Sequence, residues 1–421
     1  MRGASTRPDQ RGWGFGGLVP RQSPETESLV GIWGKAPGKP SHHLPTISIG
    51  GSHVRVPMAD LKAQYQSIKS EIDEAVLAVL ESCQFTLGDN VKLLEEEIAK
   101  RSGAAYGVGV NSGTDAIALA LTALGVGHGD EVITTPFTFV ATTEVIALLG
   151  AKPVYADIDP KTFNLDPGKI EEKITSRTKA ILPVHLYGHA ADVKRIEDIA
   201  ERHGLRVIYD GAQAIGVETL GKPIGAFGDA VTLSFFPTKN LGGAGDGGMI
   251  LTNDAEFADK LRCLRFHGGA GSYSYKYVGY CSRLHAIQAA TLLAKLPHLD
   301  GWTDARRRNA ETYRYLLSDI DVVLPTEEPH SKHVYHQFTV RCSERDQLRE
   351  YLKSMEIDTG VYYPNPLHLE EAYRYLGYKH GDLPEAERAC REVLSLPVFP
   401  ELTEQQLAHI ACAIRCFSEQ T

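Results

Sequence analysis

From about residue 66 onward the chain alternates short apolar runs with amphipathic stretches, and that alternation predicts its architecture. Gln66–Leu80 and Val91–Arg101 place apolar side chains at helical spacing on either side of the turn Phe85-Thr86-Leu87-Gly88. Seven runs then read as strands: Tyr106–Val110, Glu131–Thr134, Pro153–Ala156, Ala180–Val184, Arg206–Tyr209, Ala230–Phe235 and Gly248–Leu251. Helical segments fall between several of them, at Asp115–Leu124, Thr142–Leu149, Pro167–Ile174 and Val193–His203. Strand and helix in alternation predict an α/β fold, a mostly parallel seven-stranded sheet between helices, with ligands at the strands' carboxyl ends. Beyond Trp302 the pattern changes to a long basic helix, Ala305–Leu317, short strands such as Gln337–Val340, and further helices. The expected division is therefore a large domain over 56–300, including the N-terminal helices at 60–101, and a small α+β domain over 301–421.

The first residues differ from everything after them. Met1–Val54 is rich in Gly, Pro, Ser and Arg, has no apolar period, and reads as a disordered extension reaching to about residue 55. It lacks the continuous apolar segment of a secretory signal. Either Met58 lies near the natural start or the leader is dispensable; a transit peptide is the weaker alternative.

Composition narrows the class. A chain of 421 residues suggests two or three domains. A net charge of −9 argues against nucleic acid or an anionic membrane as main partner, and no apolar run approaches the length of a membrane span. The seven cysteines form no CxxC pair and are odd in number, which points to reduced thiols in a cytoplasmic protein, not a disulfide or metal framework. Cys412 and Cys416 share a helix face and read as packing.

Two nucleotide signatures are discounted. Gly243–Gly248 satisfies GxGxxG but precedes a strand, where the dinucleotide mechanism needs a strand-to-helix turn. Gly216–Lys222 spells GxxxxGK, but Pro223 stands where a phosphate loop needs a hydroxyl for magnesium.

The candidate chemistry lies elsewhere. Thr232–Phe236 runs as a strand into Pro237-Thr238-Lys239-Asn240-Leu241-Gly242, putting Lys239 on a bend ahead of a Gly-rich loop, with the Ser234 hydroxyl upstream. A lysine desolvated at a strand end loses its proton more easily than one in water, as Schiff-base chemistry with an aldehyde cofactor requires. Asn111-Ser112-Gly113-Thr114-Asp115 follows a strand and opens a helix, so it is either a phosphate cradle or a plain helix cap. Val207-Ile208-Tyr209-Asp210 ends a strand with a carboxylate just before Gly211-Ala212-Gln213. That acid either caps a helix or keeps a pyridine nitrogen protonated. In Thr135–Thr142, Phe137 or Phe139 is placed to stack on such a ring or to fill core.

Together, Ser112–Thr114, Pro136–Thr142, Tyr209–Gly216 and Ser234–Gly242 resemble the DegT/DnrJ/StrS family of fold-type I, pyridoxal-phosphate-dependent sugar aminotransferases. The resemblance covers the chain from about Val56 to its end. It extends to His185–Gly188, Arg265–Gly268, Gly279–Leu284, Tyr363-Pro364 and Pro366–His368. It implies that Lys239 bonds covalently to the cofactor and later shuttles the proton, and that Asp210 pairs with the ring nitrogen. Gln213 would lie near the ring hydroxyl and Phe139 on the ring face, while Gly113, Thr114, the Asp115 backbone and Ser234 would hold the phosphate. The family is dimeric, and its Gly279–Leu284 segment reaches the neighbouring subunit's cofactor. There the sequence departs from the pattern: Cys281 stands where the family usually has Asn, a better hydrogen-bond partner. His285 replaces a common acid and Tyr362 a frequent His, which bears on substrate identity. The implied reaction moves an amino group, from L-glutamate, to a nucleotide-linked keto-sugar in two half-reactions. Alternatives are a keto-cyclitol acceptor on the same scaffold, or a cofactor-binding regulatory protein without turnover. Lys239 argues against the relatives that carry His there and deoxygenate sugars.

Overall fold

A computed structural model describes residues 54–420 apart from residue 272. The expected disordered leader falls almost wholly on residues 1–53, which lie outside the described residues. The seven expected strands form one sheet: β1 Tyr106–Val110, β2 Glu131–Thr134, β3 Lys152–Tyr155, β4 Thr178–Leu182, β5 Arg206–Asp210, β6 Ala230–Ser234 and β7 Gly248–Thr252. Their spatial order is β1-β7-β6-β5-β4-β2-β3. Neighbours pair in parallel except at β7, which is antiparallel to both β6 and β1. The register sets Asp210 beside Thr232, so β5 and β6 end side by side.

Alternation along the strands separates two cores. Val207, Tyr209, Val231, Leu233, Met249 and Leu251 face one cluster, with the amphipathic helix α1 Val193–His203 packed there through Val193, Ile196, Ile199 and Ala200. That helix is capped by Asp192, whose side chain accepts from the Arg195 amide, and it ends at left-handed Gly204. Ile208, Ala230, Ile250, Val108 and Val110 face the other cluster, against α2 Gly113–Ala123. This second helix is apolar nearly all round, because it is covered on its outer side as well.

A third cluster unites β8 Phe338–Arg341 and β9 Val393–Leu396, an antiparallel pair, with Tyr313, Leu348, Ile410 and, from far upstream, Val56. Among the described residues no helix is long and apolar enough to cross a membrane.

Three local readings change. The helix expected at 66–80 is two, Leu61–Ser67 and Lys69–Ser82, interrupted at Ile68, whose φ of −130° is not helical. Pro167–Ile174 forms two 3-10 turns, Pro167–Lys169 and Glu171–Lys173; Pro167 suits a helix start, but Gly168 right after it weakens propagation. The basic helix starts earlier, at Leu299, and runs to Leu316.

Candidate active site

β5 ends on Asp210, whose carboxylate accepts from the Thr142 hydroxyl at 2.8 Å and from the Ala212 amide at 3.0 Å. The carboxyl is buried, and burial pushes it above the ordinary carboxylate range, opposed by those two donors and by Lys239. Thr142 is itself fully buried and bonded to Thr138 at 3.0 Å. His185, at the neighbouring strand end, donates its amide to the Asp210 carbonyl, and its ring stacks on Tyr209.

Lys239 stands on the bend after β6. Desolvation pushes its amine down to about 8, against the pull of the Asp210 carboxylate. Its backbone amide donates to the Phe236 carbonyl at 2.8 Å, but among the described residues its Nζ makes no hydrogen bond or ion pair, so the amine is held by position alone. The bend is braced on all sides. The Gly243 amide donates to Phe235, that of Ala244 to Gln288 Oε1 at 2.8 Å, and buried Lys295 donates to the Gly242 carbonyl at 2.8 Å and to Gln64 at 3.1 Å. A Cβ at Gly242 would come within 2.1 Å of the Pro237 carbonyl oxygen, so only glycine closes this turn.

The Ser112–Asp115 segment meets the same strand end. A Cβ on Gly113 would lie 2.8 Å from the Ser234 Cβ, which brings the helix start against Ser234. Ser112 caps the helix by accepting from the Asp115 amide at 3.0 Å, so the backbone donor expected of Asp115 is already engaged. Among the described residues the Gly113 and Thr114 amides carry no intramolecular bond, and they remain the first-turn donors. The Asp115 carboxylate instead accepts from Ser282 at 2.6 Å, tying the segment 279–284 to this helix start. Cys281 itself is exposed, with the Arg283 guanidinium 3.0 Å from its Sγ.

Of the two candidate aromatics, Phe137 is core, packed edge-on to Tyr187 and Tyr363, whereas Phe139 is 56% exposed. Gln213 accepts from the Tyr187 amide at 2.6 Å and donates to the Tyr363 hydroxyl at 3.2 Å. Thus Tyr363 reaches Gln213 from 150 positions further along the chain, which no local signal in the sequence announces. Also unannounced is buried His336, bonded to Asn240 next to Lys239. Thr142 had a weak signal, a hydroxyl in the first turn after a strand end.

This donor set fits pyridoxal phosphate. Free amides and the Ser234 hydroxyl at a helix start suit a phosphate, a buried carboxylate suits a protonated ring nitrogen, and an amine near neutrality suits an aldehyde.

Comparisons with known proteins agree with that chemistry. The sequence pattern of the DegT/DnrJ/EryC1/StrS aminotransferase family matches residues 66–415. The chain is 54% identical to a pleiotropic regulatory protein of Geobacillus stearothermophilus, over 85% of this chain and 97% of that one. It is 47% identical to a UDP-N-acetyl-3-dehydro-alpha-D-glucosamine 3-aminotransferase of Acidithiobacillus ferrooxidans, over 86% and 97%. The crystal structure of Streptomyces venezuelae DesV superposes with a TM-score of 0.85 at 42% identity, covering 87% of this chain and 99% of that one.

Proposed function

The chain belongs to the DegT/DnrJ/EryC1/StrS aminotransferase family, pyridoxal-phosphate enzymes of fold type I, and from that premise we propose that it transfers an amino group from L-glutamate to a nucleotide-linked keto-sugar. The substrate reading draws on relatives whose names specify UDP- and dTDP-linked amino sugars. One arrangement supports the site: Lys239, half-buried on the bend after one strand, stands in the field of the buried Asp210 carboxylate that ends the adjoining strand.

Bound pyridoxal phosphate supplies an electron sink for the carbon that loses its proton. In our reading the Gly113 and Thr114 amides and the Ser234 hydroxyl bind its phosphate, with Asp115 anchoring that turn through Ser282. Phe139 would cover one ring face and Gln213 would lie at the ring hydroxyl. Asp210 holds a proton at the ring nitrogen. The Lys239 amine would take the donor's α-proton and return it one carbon away. The protein works as a cytoplasmic homodimer, in which Cys281 of the partner subunit stands at the phosphate. The small domain begins near residue 301 and borrows Val56 for its core.

The test is optical. Purified protein should be yellow, bleach with glutamate, and regain colour with a UDP- or dTDP-linked keto-sugar, whereas Lys239→Ala should lack the band. Colour that survives glutamate would favour a regulatory role, which the name of the 54% identical relative supports. A colourless protein that stays colourless with added cofactor would refute both.

A further inference from the structure

Asn240 directly follows Lys239, and its side chain is buried. Its amide nitrogen donates to the Val334 carbonyl at 3.1 Å, which leaves Oδ1 as an acceptor. The atom facing Oδ1, at 3.1 Å, is Nδ1 of His336. An acceptor there requires the hydrogen on Nδ1, so the network selects one tautomer of the ring and leaves the lone pair on Nε2. Residues 334–336 are themselves held firmly. The Val334 amide donates to Gly188, and the Arg306 guanidinium donates to the carbonyls of Tyr335 and, at 3.5 Å, His336.

We propose that His336 is a positioning residue for Lys239: as a neutral Nδ1–H imidazole it latches Asn240 and so fixes the backbone that carries the reactive amine. Neutrality follows from the surroundings. Burial of the ring, and after it the cations Lys239 and Arg306, oppose a proton on Nε2. A latch that stayed neutral would hold the loop without adding positive charge beside the amine. The latch also explains why this histidine lies in the other domain: it lets the small domain report on the Lys239 bend through one buried bond.

The proposal rests on Lys239 being the reactive lysine, and the test separates the two. The full chain, stripped of cofactor, is acylated with acetic anhydride across a pH series, and modification of Lys239 is read by peptide mass spectrometry. The unaltered protein should show a midpoint near 8. His336→Asn, which keeps a donor where Nδ1 stood, should retain it. His336→Leu frees the loop to hydrate, and a one-unit upward shift from 8 lowers the neutral fraction at pH 8 about fivefold. A midpoint like that of ordinary lysines in the unaltered protein would overturn the lysine assignment. A normal unaltered midpoint with no change in His336→Leu, or equal changes in both variants, would overturn only the latch. Should His336→Leu fail to fold, the nitrogen-15 spectrum of histidine-labelled unaltered protein decides: an Nδ1–H ring supports the latch, an Nε2–H or doubly protonated ring refutes it.

Discussion

Thr142→Val isolates the hydroxyl that supports the buried carboxylate. Valine has nearly the same shape, so the fully buried site keeps its packing, and the change removes one bond of 2.8 Å to Asp210 and one of 3.0 Å to Thr138. A hydrogen bond to a charged group is worth about 1.5–3 kcal/mol, which corresponds to roughly a 10- to 100-fold shift in the protonation equilibrium toward the neutral acid. The sign is set by which form the bond favours: losing a donor to the carboxylate raises the acid further. Because Asp210 must be ionised to hold a proton on the ring nitrogen, the acid limb of the turnover profile should move up by about one to two pH units, leaving the alkaline plateau unchanged. Stability follows the same linkage. Burial holds the folded carboxyl above its unfolded value, so Asp210 contributes stability below the unfolded value and withdraws it as pH rises through the folded one. The variant's added instability should therefore be full at neutral pH and shrink as the acid is protonated, as read by urea unfolding at several pH values. An unmoved acid limb, or a profile lowered evenly at all pH values, would refute the reasoning.

Other perturbations probe separate parts of the structure. Cys281→Asn should slow cofactor loss on dialysis by up to about tenfold, since a neutral hydrogen bond nets about 0.5–1.5 kcal/mol; no change would mean that the segment does not reach the phosphate. Lys295→Met strips the Gly242 carbonyl and Gln64 of their donor, and partial relief of a buried charge leaves a net loss of about 1–2 kcal/mol in urea unfolding. An unchanged midpoint there would show that the loop does not depend on this lysine. Removing residues 2–53 should leave melting and turnover intact. Extending the deletion through Val56 removes a fully buried side chain and its bonds to Glu356 and Asp358, at a loss of roughly 3 kcal/mol, and equal melting of the two truncations would contradict this.

Much of the site was legible because its parts sit at strand ends, where local chemistry and position coincide. Asp210, Ser234 and Lys239 each follow an apolar run whose end is visible in the residues. Phe137 and Phe139 show the limit: two residues apart on one loop, they are equally plausible stackers, and only full burial against Phe163 and Tyr187 assigns Phe137 to the core. Asp115 shows another. Its backbone donor looks available until Ser112 is seen to take it.

The alternation of apolar runs and helices determined the α/β architecture and which residues lie at the sheet's ligand edge, because side-chain period is a property of the chain itself. Which distant groups meet there was decided by the fold. Thr142 beneath Asp210, Tyr363 on Gln213, Lys295 under Gly242 and His336 against Asn240 are contacts between residues 53 to 150 positions apart. Local pattern cannot specify such pairs, since each depends on how separately folded elements dock and on the buried polar groups that docking obliges to find partners.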